Sequence, residues 1–106
     1  MSSSYREAYS DLLVAQKLLN SQDLSVLDPP RQLEVVQMQG VVFAEIQALL
    51  VQRLSARNEE YSAATEGLQQ SEAEFLKIKE WAESAENGEK IFGGILKGIS
   101  ILLPLL

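Results

Sequence analysis

The chain has 106 residues, 46% of them apolar, a formal net charge of −6, and neither cysteine nor histidine. That length is one domain's worth, and an acidic chain without a basic run lacks the electrostatic footprint that phosphate binding requires, so nucleic acid is not an expected partner. Without Cys and His the disulfide framework, the thiolate nucleophile, the commonest general base and the usual transition-metal ligands are all missing, which predicts a non-enzymatic protein with no cofactor and no metal.

The N-terminal stretch MSSSYREAYSDLL has neither a basic leader nor a continuous apolar run. It does not read as a signal peptide, so the expected location is cytoplasmic, or exported without a cleavable signal. Ser4 followed by Glu7 is a capping-box pattern, in which each side chain satisfies an unpaired backbone N–H at a helix start. A first helix is predicted over residues 5–20, with Tyr5, Ala8, Tyr9, Leu12, Ala15 and Leu19 forming one apolar stripe.

Residues 22–30 read as a turn that ends on Asp28, Pro29 and Pro30. Aspartate is a good N-cap, and prolines are tolerated in a first helical turn because the N–H they lack would have no partner there. From Pro30 to the Asn87-Gly88 stop no further proline intervenes, and the composition favours helix. The segment 30–87 is therefore predicted as one long coiled-coil-like helix of roughly 85 Å, or as two helices with a new N-cap at Asn58.

Within it Val36, Gly40, Phe43, Gln47, Leu50, Leu54 and their successors alternate by four and three residues, the period of a coiled-coil seam. Val35, Met38, Val42, Ile46 and Leu49 make a second stripe beside the first. A helix apolar on two sides needs two neighbours, and one short helix supplies only one. The expected partner is a second copy or another helical protein, and Val36, Phe43, Leu50, Leu54, Phe75, Ile78 and Trp81 are the candidate interface residues.

Carboxylate pairs further along carry less chemistry. Glu72 and Glu74 do not face one another on a helix, and Glu80, Glu83 and Glu86 are interleaved with Lys77 and Lys79, so a solvated, ion-paired face is expected. Arg53 and Arg57 sit one turn apart like an anion clamp, yet Glu60 lies at pairing distance from Arg57, and a surface ion pair is the simpler reading.

A C-terminal amphipathic helix is predicted over residues 89–103, with Ile91, Phe92, Ile95, Leu96, Ile99, Leu102 and Leu103 as its apolar side and Gly94 and Gly98 as a small-residue side. Spanning a bilayer takes about 20 apolar residues, and Lys97 interrupts this shorter run. The tail is expected to fold back on Leu68, Phe75, Leu76, Ile78 and Trp81, with contact between residues 91–106 and a membrane as the alternative. The overall expectation is an all-α hairpin or bundle whose function is protein–protein interaction or assembly, against a membrane-active protein as the second possibility.

Overall fold

The fold, obtained as a computed structural model, describes residues 3–51 and 58–106. Helix α1, Tyr5–Asn20, begins where Ser4 and Glu7 cap each other: the Glu7 N–H donates to Ser4 Oγ at 3.2 Å and the Ser4 N–H to Glu7 Oε1 at 3.3 Å. Ala8, Leu12, Ala15 and Leu19 are its buried face. A turn follows in which Asp23 accepts from the N–H and the hydroxyl of Ser25, and these bonds hold its carboxyl below the usual carboxylate range.

Helix α2, Pro29–Leu50, starts on the Asp28 cap with the prolines in its first turn. Glutamine side chains tie it to the preceding backbone. Gln32 donates to the carbonyls of Leu24 and Leu27 at 2.9 and 2.8 Å, and Gln39 to the Leu19 carbonyl at 3.1 Å. The carbonyls of Leu19 and Leu24 also accept backbone N–H groups, from Gln22 and Leu27, so the glutamine side chains add a second donor to each and tie α2 to α1 and the turn. The end of α1 thus meets the middle of α2, while Tyr5 at its start donates to Glu59 beyond the end of α2, so the two helices run antiparallel.

The long helix over 30–87 does not form. Helix α2 stops at Leu50, residues 58–65 form an irregular segment, and helix resumes in α3, Glu66–Gln69, and α4, Glu72–Ser84. Nor does Asn58 start the next helix: Thr65 does, its Oγ1 accepting from the Leu68 N–H at 3.2 Å. The molecule extends 46 Å along its longest axis, about half of what the unbroken helix required. Folding back lets Leu68, Phe75, Ile78 and Ala82 bury against the same core as α1 and α2.

Asn87 takes the left-handed conformation, φ 58°, and a Cβ on the following Gly88 would collide with the Ala82 carbonyl, so this pair makes the tight stop after α4. The tail is two helices, not one: α5, Gly88–Ile91, and α6, Gly93–Leu102, joined at Phe92 and followed by a 3₁₀ turn over Leu103–Leu105. Phe92, Ile95, Ile99, Leu102 and Leu105 are buried.

The cover for α6 is mainly α1, with α4 as a second wall, whereas the sequence pointed to α3 and α4. Gly94 and Gly98 are what bring α1 so near. A Cβ on Gly94 would lie 2.7 Å from the Leu18 carbonyl oxygen, and one on Gly98 would lie 2.9 Å from Leu19 Cδ2, while Gly93 has nothing within 4 Å. Gly94→Ala should therefore destabilise the fold by about 1–3 kcal/mol, the range for overpacking a close contact. Gly93→Ala should be neutral or stabilising by up to about 1 kcal/mol through helix propensity. Denaturant melts of the two variants check this, and equal effects would dismiss the close α1–α6 approach.

Candidate interaction surface

Helix α2 carries two apolar stripes with opposite fates. Val35, Met38, Val42, Ile46 and Leu49 point into the core. Leu33, Val36, Phe43 and Leu50 point outward and are 57, 48, 54 and 56% exposed. Gly40 sits between them with nothing within 4 Å of where a Cβ would be, so the backbone is bare there and forms a notch. Scattered exposed apolar residues need no explanation, but these follow one line along about 26 Å of helix surface.

The line is also uncharged. Glu34 turns toward α4, where it accepts from Trp81 Nε1 at 2.8 Å and pairs with Lys77 at 3.4 Å. Glu45 turns inward and is fully buried. In a chain of net charge −6, a charge-free face spanning most of a helix is a local departure from the composition.

Glu45 is the residue that sequence reasoning missed. Its Oε2 accepts from Tyr61 Oη at 2.6 Å and the Ala64 N–H at 2.7 Å, and its Oε1 from the Thr65 N–H at 2.9 Å and Thr65 Oγ1 at 2.8 Å. Four donors thus converge on one carboxylate, as a buried acceptor requires. Burial, together with the Glu45 carboxylate, pushes the Tyr61 phenol well above its ordinary range, so it stays a proton donor at neutral pH. The segment held in this way crosses to the start of α1, where the Tyr61 N–H donates to the Ser3 carbonyl at 2.8 Å and the Tyr5 and Tyr61 rings meet edge to face at 5.3 Å. A signal was available in sequence: Glu45 is the single charge on the stripe that runs Met38, Val42, Ile46, Leu49. A charge on a core face needs a partner, and none lies at helical spacing on α2.

The remaining candidates scatter. Phe75 and Ile78 are each 1% exposed and belong to the core, so they add nothing to an outer surface. Trp81 is half-buried and engaged on three sides: by Glu34, by the Phe92 ring at 5.7 Å, and by the Arg31 guanidinium 5.0 Å above its ring. It is a clasp between α2, α4 and the tail, worth about 1 kcal/mol for each aromatic contact. Leu54, Arg53 and Arg57 lie outside the described residues. In the tail, Ile95, Ile99 and Leu102 are fully buried and Phe92 nearly so; Leu96 and Leu103 are partly buried, and Ile91 is 42% exposed.

Glu72, Glu74, Glu80, Glu83 and Glu86 are exposed, and Glu83 pairs with Lys79 at 4.0 Å. Among the described residues no group of three acidic side chains converges as a metal site would require. Helix α2, a third of whose apolar stretch is buried, is the one described helix long and apolar enough to cross a membrane. The core helix of a soluble protein meets the same criterion. Comparison with protein families, with curated proteins and with solved structures returns no match.

Proposed function

We propose that this chain is a non-enzymatic helical docking module whose outer α2 face binds a helix of another subunit. The observation that carries the reading is the contrast on α2: five core residues fully or nearly buried, and beside them a coiled-coil-spaced line left bare and uncharged. Burying such a line is favourable at roughly 25 cal/mol per Å² of apolar surface, and leaving it in water gains nothing for the fold. Helix α1 packs along α2 and Trp81 of α4 clasps its first turns through Glu34 and Arg31, so the face is presented on a rigid support.

Phe43→Asp tests this directly. Phe43 is 54% exposed, so the variant should keep its fold to within about 0.5 kcal/mol. In a docked state the same aspartate would be a buried, unpaired charge, and binding should be lost. The expected result is that the native mass of the chain in an extract of its own cells falls to that of a single chain in the variant. An unchanged native mass would overturn the reading.

A second reading rests on the apolar composition of α2 and of the tail, where Lys97 is the one charge between Ile91 and Leu106. In that reading a bilayer takes the partner's place. It requires the tail to leave the contact with α1, since Ile95, Ile99 and Leu102 have no free surface while α6 is docked.

A further inference from the structure

We infer that the subunit docking on α2 is a second copy of this chain, laid antiparallel across the first so that Phe43 of each copy fills the Gly40 notch of the other. The inference rests on the docking reading above and names its partner.

Leu33, Val36, Gly40, Phe43, Gln47 and Leu50 are separated by three, four, three, four and three residues, a series that reads the same from both ends. An antiparallel coiled coil pairs the two seam positions of one helix with the opposite two of its neighbour. Only a palindromic series lets a helix do this with itself. Turned about an axis between Val41 and Val42, the face sets Leu33 against Leu50 of the second copy, Val36 against Gln47, and Gly40 against Phe43. A twofold interface demands this kind of self-complementarity.

Size agrees with spacing. Phe43 is the bulkiest residue of the line and stands 54% exposed, while Gly40 is the smallest and has open space where a side chain would be. The antiparallel arrangement puts large against small in both central layers. Parallel docking in register would put glycine on glycine, leaving a void, and Phe43 on Phe43, splaying the helices. Helix dipoles also favour the antiparallel pair. Charge agrees too: two copies each carrying −6 repel on approach, and the outer line of α2 brings none of those charges into the contact.

Light scattering on the purified full chain at high micromolar concentration should give twice the chain mass, falling to one chain mass in Phe43→Asp. Gly40→Leu separates this geometry from non-specific apolar association. It adds apolar surface in open space and improves helix propensity, so greasy sticking would strengthen, but a filled notch excludes Phe43 and the dimer should be lost. Because the chain has no cysteine, orientation can be read by oxidation. A mixture of Leu33→Cys and Leu50→Cys should form a mixed disulfide dimer, and either variant alone should not.

A monomer at this concentration, a dimer strengthened by Gly40→Leu, or self-cross-linking of Leu33→Cys would each overturn the inference. These failures are distinguishable from failure of the docking reading. If the purified chain is monomeric but its native complex still requires Phe43, the partner is a different protein; if Phe43→Asp changes neither, the face does not dock.

Discussion

Replacing Glu45 by alanine should lower the stability of the fold by about 3 kcal/mol, a fall of roughly 15 °C in Tm for a domain of this size. The variant removes one side chain but orphans four donors: Tyr61 Oη, the Ala64 N–H, and the N–H and hydroxyl of Thr65. Each buried donor left without an acceptor costs about 1–3 kcal/mol, reduced here where water can reach Ala64, which is exposed. Against a net stability of about 5–15 kcal/mol the loss is severe. Glu45→Gln keeps the shape, but its amide nitrogen faces donors in place of an acceptor, so it should recover little. Hydrogen exchange locates the effect. The amides of Ala64 and Thr65 should lose protection before those of α1, since Glu45 is what anchors this segment. A Tm within a few degrees of the parent would show that the carboxylate is not the anchor.

The same contact makes the fold sensitive to alkali. The Tyr61 phenol is raised above its ordinary value near 10, so its contribution to stability is fully present below that pH. It is lost as pH rises through the folded-state value, because the phenolate would be buried beside a carboxylate. Tyr61→Phe should flatten the decline in stability above about pH 10, although it gives up the hydrogen bond to Glu45.

The residues around Glu45 also explain how much of the fold could be read from sequence. Local signals were legible: the Ser4–Glu7 box, the Asp28-Pro29-Pro30 start and the Asn87-Gly88 stop all lie where their chemistry put them. These depend on neighbours no more than six residues away along the chain. The break between α2 and α3 was legible only as the alternative of two helices parted near Asn58, because the three-four alternation passes through Tyr61 and Leu68 as if helix continued. Tyr61 and Leu68 are apolar for a different reason. They sit on separate elements that fold back to one core, and what holds them there is a carboxylate 16 residues upstream of Tyr61. Tertiary contacts of that kind override local helix preference and leave little local trace.

The outer face of α2 divides in the same manner. Its period was legible, and so was the presence of two apolar stripes on one helix. Which stripe the chain would keep for itself was not, because Val35 and Val36, or Val42 and Phe43, are equivalent in hydropathy. The choice is made by Glu45. Its position on the Val42, Leu49 side obliges that side to face the Tyr61–Thr65 segment, and the other stripe is turned outward as a consequence. A buried hydrogen-bonding group here sets the rotation of a helix, and with it the stripe that remains exposed.

Removing residues 93–106 should abolish cooperative folding of the monomer unit. The deletion strips Ile95, Ile99 and Leu102 from the core, all fully buried, and leaves Leu12, Ala15 and Leu19 of α1 in water. At about 1.5–3 kcal/mol for each large aliphatic side chain, the lost burial is at least about 5 kcal/mol, comparable with the whole net stability of a small domain. The expected observation is a broad, non-cooperative melt with dye-binding apolar surface. Two further measurements on the same variant discriminate the readings of function. If the tail serves the fold, intact chain should stay in the supernatant when liposomes are sedimented, and the truncated chain should be unfolded. If the tail serves a bilayer, intact chain should sediment with liposomes, and the truncated chain should lose that binding yet melt as before. An unchanged melt would contradict the packing of α6 on α1 described by the Gly94 and Gly98 contacts, because a helix seated that closely cannot be removed without exposing the face it covers.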